Sequence, residues 1–374
     1  MSYRPEIDGL RAIALIPVVL FHANFEWFSG GYVGVDVFFV ISGYLITSII
    51  LREKAAAEFT FSHFYERRAR RILPALFFIM LVCIPFAWLL QLPHELINFA
   101  KSLIATTVFS SNILFWLELD YFSADIEFIP LIHTWSLAIE EQFYLLFPLL
   151  LSFIWAFSKR NIFIILAIIT IISFALSEWG WRYYPDANFY LLYSRVWELM
   201  VGALIALYLS QNQATKGIIS EVASILGLAL ILFAVFYLDK TYPFPSAFAL
   251  LPIIGTALII LFTHPKTMVY RLLSLKVLTL IGLISYSAYL LHQPLFVFTR
   301  LYLIDEPAPW LMAILSLLTL VLAYLSWRFI ETPFRDKHRF TQKQIFVFSL
   351  LGSVFFIGVG VLLIIIDGAE FRFN

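Results

Sequence analysis

An arginine and a histidine, Arg11 and His22, stand with ten residues between them in the stretch EIDGLRAIALIPVVLFHA. At a helical rise of 1.5 Å per residue they lie about 16 Å apart along one axis, roughly half the hydrocarbon thickness of a bilayer. Ionisable groups inside such a segment are costly and are functional candidates by default. A neutral imidazole there can act as base toward a hydroxyl or as a transient acyl acceptor. The competing use is a histidine hydrogen-bonded between helices. Asp36 follows across a short turn, placed either to orient the imidazole and stabilise its cation or to cap the second helix.

Four arginines, Arg67, Arg68, Arg70 and Arg71, crowd a second stretch. Guanidinium forks fit phosphate oxygens. The same cluster at a membrane surface meets lipid headgroups. Arg11 is a further phosphate contact, or else it pairs with Glu6 or Asp8. A third group is His133, Glu140 and Glu141. The two neighbouring carboxylates point about 100° apart on a helix, so only one faces a given interior. One is placed to bind or polarise a hydroxyl, and the other to pair with an arginine such as Arg195, whose neighbour Glu198 shares its helix. Trp135, Tyr144 and Trp197 serve an aromatic belt or stack on a ligand ring, the belt being favoured. His292 reads as a helix-end polar group beside Pro294, and Glu331 as a neutraliser of nearby arginines.

The elements that must position these residues are set by composition. Of 374 residues 61% are hydrophobic and 13% charged, with a mean hydropathy of +0.89; a soluble domain carries about 25% charged residues. The class is an all-α, polytopic transmembrane helical bundle. Zero formal charge points to no nucleic acid, and the single Cys83 forms no internal disulfide. Residues 1–25 read as an uncleaved first span rather than a signal peptide.

Apolar runs fall near 10–25, 33–51, 73–92, 98–117, 134–157, 161–177, 190–209, 217–238, 246–263, 276–298, 308–329 and 344–366. Basic loops stay cytoplasmic. The basic stretches at 52–71, 158–160, 266–276 and from Arg328 onward share one side only if 98–117 does not cross. That run is then re-entrant or interfacial, within an external segment of about 93–132 whose later part carries Glu118, Asp120, Asp125 and Glu127. The expectation is eleven spans, with the N-terminus cytoplasmic and the C-terminus periplasmic.

The headpiece resembles the opening of acyltransferase family 3, integral-membrane O-acyltransferases that decorate bacterial surface polysaccharides. GVDVFFVISGYLIT (34–47), RRARRILP (67–74), HTWSLAIEEQFYLLFP (133–148), RVWELMVGAL (195–204), SYSAYLLHQPL (285–295) and RFIETPFR (328–335) extend the resemblance in order along most of the chain. The resemblance implies an O-acyltransferase of the bacterial inner membrane. Acyl-CoA, most simply acetyl-CoA, would be the donor, and a hydroxyl of a surface or periplasmic glycan such as the O-antigen of lipopolysaccharide the acceptor.

It implies catalytic roles for His22, Asp36 and Glu141, and donor binding by Arg11, Arg67, Arg68 and Arg71, chiefly the Arg68–Arg71 pair. It implies acceptor contacts from His133, Glu140, Trp135 and Arg195. No resident cofactor and no metal are expected; membrane lipids are. Residues 1–341 would form the acyltransferase domain of about ten spans, 342–366 an additional span, and 367–374 an external tail. That tail looks like the start of a linker to an SGNH-type domain, which many longer relatives carry. Either this is the membrane part of a longer protein or a stand-alone form. The competing class is a multi-span transporter of a glycan or acyl group without chemistry.

Overall fold

The computed structural model describes residues 3–118, 127–212, 217–303 and 306–373, so Asp120 and Asp125 lie outside the described residues. Among the described residues every regular element is helical. In chain order these are α1 (Pro5–His22), α2 (Gly34–Ala55), α3 (Phe61–Leu90), α4 (Pro93–Thr107), α5 (Ser111–Glu118) and α6 (Thr134–Phe153). There follow α7 (Lys159–Tyr183), α8 (Pro185–Tyr190), α9 (Leu192–Leu209), α10 (Ile218–Tyr237), α11 (Leu250–Phe262) and α12 (Met268–Leu273). The last are α13 (Lys276–Leu283), α14 (Ser285–Leu303), α15 (Pro309–Ser326), α16 (Thr332–Arg335) and α17 (Gln342–Ile365).

Among the described residues, eight helices are long and apolar enough to cross a membrane, or nine if α13 and α14, bent by 67° at their junction, make one span. The chain is thus a helical, multi-pass membrane protein. α1 has 18 residues but carries Glu6, Asp8 and Arg11, and the apolar helix Ala247–Phe262 is shorter, so both fall outside that set. The run at 98–117 holds no helix of spanning length. It breaks between α4, of 15 residues, and α5, of 8, where Phe109 takes a positive φ of 53°; a crossing needs about 20.

The basic stretch at 52–71, expected as a loop, is mostly helix. α2 runs to Ala55, and α3 begins at Phe61 behind Thr60, whose hydroxyl accepts from the His63 N–H as an N-cap. Thirty residues make α3 about 45 Å long, some 15 Å more than the hydrocarbon core. Its arginine-bearing first turns therefore have room to stand outside the bilayer.

The chain forms two compact units, each from two stretches: Met1–Phe59 with Ile139–Ser285, and Thr60–Ala138 with Tyr286–Asn374. In the first unit α2 packs along α9, and α1 packs against α12 and α13. Glycine permits the α2–α9 approach. A Cβ on Gly43 would lie 1.8 Å from the Leu199 carbonyl oxygen, and one on Gly202 2.1 Å from that of Val40. Small residues at such crossings let backbones meet. Gly202→Val is expected to destabilise the protein by about 1–3 kcal/mol or more through overpacking. The check is thermal unfolding in detergent, and an unshifted midpoint would mean that the two helices are free to part. In the second unit α17, expected as an appended span, packs on α3 and α4, and Arg372 beyond it donates to the Gln91 carbonyl at 3.0 Å.

Candidate functional site

His22 is the last residue of α1 and is half-buried. Its Nδ1 lies 2.8 Å from the Val18 carbonyl oxygen. A carbonyl only accepts, so Nδ1 carries the proton and, in the neutral ring, Nε2 carries the lone pair. The helix itself thereby selects the tautomer with a basic Nε2. The turn after α1 is tied down within the same unit: Gly30 N–H donates to the Val235 carbonyl at 3.0 Å, Ser29 to Leu238 at 2.8 Å and Tyr32 to Asp239 at 3.1 Å. Arg11 sits three residues from Asp8 and is paired with it at 3.5 Å, which is one of the two expected uses. Glu6 pairs with Arg4 at 2.7 Å.

Asp36 lies in the first turn of α2 and is fully buried. Arg195 of α9 reaches it at 3.2 Å and also reaches Glu198, three residues along α9, at 2.8 Å. All three side chains are at most 1% exposed. The guanidinium carbon lies 5.4, 5.7 and 5.6 Å from the ring centres of Phe39, Phe189 and Phe244, a cation–π enclosure. Arg195 is thus sealed between two carboxylates and three rings. Glu140 and Glu141 are both half-buried on α6, and Glu140 accepts from the Ser42 hydroxyl of α2 at 2.7 Å.

The arginine stretch of the second unit divides by its contacts. Arg70 is buried, ion-paired with Glu66 one turn earlier, and donates to the carbonyls of Phe334 at 3.0 Å and Phe340 at 2.6 Å. It clamps α16 and the segment that follows it onto α3. Arg67, Arg68 and Arg71 stay half-buried on the same turns. Glu331, expected to neutralise arginines, is buried and pairs with Arg335 at 2.5 Å.

A cluster that the sequence reading did not assemble surrounds His133. His133 and His292 are 2% and 0% exposed, with ring centres 5.4 Å apart. Tyr289 lies against both rings at 5.3 Å and donates its hydroxyl to the His133 carbonyl at 2.9 Å; the Ser136 hydroxyl is 2.7 Å from it. His292 is therefore not a helix-end group. It lies inside α14, which runs on past Pro294 to Leu303. The spacing Tyr289-x-x-His292, which puts both on one helix face, was the available signal. The aromatic belt is corrected for Trp135, Tyr144 and Trp197, which are 5%, 6% and 1% exposed and face packed interior rather than lipid.

Among the expected site residues, Arg11, His22, Asp36, Glu140, Glu141 and Arg195 belong to the first unit, and Arg67, Arg68, Arg71, His133 and Trp135 to the second. Among the described residues no group of three or more His, Cys, Asp or Glu side chains is placed to hold a metal ion.

O-acetyltransferase OatA of Staphylococcus aureus strain NCTC 8325 / PS 47 is 35% identical over 351 residues, covering 90% of this chain and 58% of that protein. A putative O-acetyltransferase, SAS0844, of Staphylococcus aureus strain MSSA476 is 35% identical over 354 residues, with the same shares. The chain thus spans 58% of the length of these relatives. No solved structure matches. The family model described as "Acyltransferase domain" matches residues 4–328, nearly all of the helical array just described, and the chain belongs to that family, acyltransferase family 3.

Proposed function

We propose that this chain is a membrane O-acetyltransferase, taking an acetyl group from cytoplasmic acetyl-CoA to a hydroxyl of a surface or periplasmic glycan, O-antigen being one such acceptor. The observation that carries the reading is the His22 tautomer, with Nδ1–H fixed on the Val18 carbonyl. In this reading Nε2 takes the proton of the acceptor hydroxyl as its oxygen attacks the thioester carbonyl. The C–S bond breaks, and the proton passes to the departing CoA thiolate. In the relay form Nε2 attacks the thioester first and the C–S bond breaks with loss of CoA thiolate; the acceptor oxygen then takes the acetyl group, the N–C bond breaks, and the hydroxyl proton goes to the thiolate. Arg67, Arg68 and Arg71, with Arg11, hold the phosphates of the donor. Glu141, Glu140, His133 and Trp135 address the acceptor, while Arg195 holds Asp36 and Glu198 within the first unit.

The topology in this proposal has eleven spans, obtained by adding α1 and the Ala247–Phe262 helix to the nine already counted. The N-terminus is cytoplasmic, the C-terminus external, and the membrane a bacterial inner membrane. The 58% coverage of the relatives is compatible with a periplasmic SGNH-type domain or protein as partner in the final transfer. The test is release of free CoA from labelled acetyl-CoA by the purified protein, dependent on added glycan. Arg71→Ala is expected to weaken acetyl-CoA binding about tenfold or more. Glycan transport without CoA release would replace acyl transfer by the transporter class, and unchanged affinity in Arg71→Ala would return the arginines to lipid anchoring.

A further inference from the structure

We propose that Arg335 joins Arg71 in gripping the phosphate-bearing end of the acyl donor, and that Glu331 and Ser287 are positioning residues that hold Arg335 in place for it. This rests on the acyl-CoA reading above and extends it to a residue more than 260 positions further along the chain.

Arg71 is half-buried on α3 and makes no hydrogen bond or ion pair with any described residue. Arg70, the residue before it, donates to the carbonyl of Phe334, the residue before Arg335, and the Arg335 guanidinium is a cation in electrostatic reach of Arg71. Two guanidiniums brought together in a partly desolvated place repel. The fold keeps them there with one carboxylate, Glu331, which accepts from Arg335 Nη2 at 2.5 Å. One carboxylate against two guanidiniums leaves the trio with a net positive charge. A guanidinium has five N–H donors in a planar fork, so this pairing leaves donors of Arg335 for a ligand, and all those of Arg71 remain. A phosphate or pyrophosphate supplies the missing charge and the acceptor oxygens.

The framing is rigid. Glu331 is fully buried and closes a π-helical turn, Trp327–Glu331, a helix defect that recurs at functional sites. Its other oxygen accepts from the Ser287 hydroxyl at 2.5 Å, and Ser287 lies 2.9 Å from the Ser326 hydroxyl. Beside them, Tyr286 donates to the Ile72 carbonyl at 2.9 Å, pinning α14 to α3 one residue from Arg71. Arg70 supplies the internal contrast, because its guanidinium is taken up by Glu66 and by backbone carbonyls.

The experiment measures binding of CoA, and of pantetheine, which lacks all the phosphates, to the purified full chain in detergent. The wild type is expected to bind CoA much more tightly than pantetheine. Arg335→Ala should weaken CoA binding about 10- to 100-fold and leave pantetheine binding unchanged. The Arg71→Ala/Arg335→Ala double variant should lose less than the product of the two single losses, since the pair acts on one anion. Glu331→Gln should raise KM for acetyl-CoA with kcat retained.

CoA binding at wild-type strength in Arg335→Ala, with Arg71→Ala impaired, would overturn the role of Arg335 and leave the acyl-CoA reading standing. A wild type that does not distinguish CoA from pantetheine would overturn that reading itself. Should Arg335→Ala fail to accumulate folded, Arg335→Lys keeps the charge and loses the fork; CoA affinity equal to wild type there overturns the proposal. A KM unmoved by Glu331→Gln overturns the positioning role.

Discussion

His22→Ala is expected to lower glycan-dependent acetyl transfer by at least about 100-fold, the lower end of what a positioned general base contributes. The protein should still insert and still bind acetyl-CoA. The size of the effect follows from the tautomer. The Val18 carbonyl holds the Nδ1 proton, so Nε2 is the basic nitrogen in the neutral ring, and alanine supplies nothing in its place. Because His22 ends α1, and the following turn is anchored by Ser29, Gly30 and Tyr32, its removal should leave the helix in place. The measurement pairs CoA release with acetyl-CoA binding on the same preparation. Lost turnover with retained binding assigns the loss to chemistry. Turnover at the wild-type rate would remove His22 from the reaction.

Arg195→Met is expected to destabilise the folded protein by about 3–5 kcal/mol, the usual cost of removing one member of a buried ionic group. That is a large part of a typical folding stability of 5–15 kcal/mol. The variant leaves Asp36 and Glu198 as neighbouring carboxylates with almost no solvent contact, and it replaces a cation that three aromatic rings enclose. The triple variant Arg195→Met/Asp36→Asn/Glu198→Gln removes the charges together and should recover most of the stability, because a neutral group carries no uncompensated buried charge. Thermal unfolding of the purified variants in detergent checks both. A single variant as stable as the wild type would mean that the three residues do not act as a unit in the fold. The Gly202→Val result bears on the same crossing, since Gly43 and Gly202 bring α2 and α9 close enough for Asp36 to meet Arg195.

Much of the fold was legible from hydropathy alone. The runs at 33–51, 161–177 and 344–366 are α2, α7 and α17, because an apolar segment of spanning length must satisfy its backbone internally and so must be helical. That the run at 98–117 holds no crossing helix was also legible, since the placement of the basic loops argued against a crossing. The headpiece, the arginine cluster and the ordered motifs carried the family, which the match over residues 4–328 bears out. The length of α3 was less visible. Charged residues hid its first turns from a hydropathy reading, although Thr60 is a recognisable N-cap.

What the sequence by itself determined, then, is what depends on neighbours along the chain: helix class, most segment limits and family membership. The tertiary structure alone decided which side chains meet. The sequence offered Arg195 the carboxylates of Glu140, Glu141 and Glu198, and packing of α2 on α9 brought Asp36 to it beside its helical neighbour Glu198. Among near-identical arginines it committed Arg70 to Glu66 and to the carbonyls of Phe334 and Phe340, and left Arg71 in electrostatic reach of Arg335. It also set His133 beside His292. The reason is physical. A buried charge or polar group is stabilised by whatever lies within a few ångströms once water is excluded, and in this chain the partners of buried Arg70 include a carbonyl 270 residues away, whose approach only the completed packing fixes.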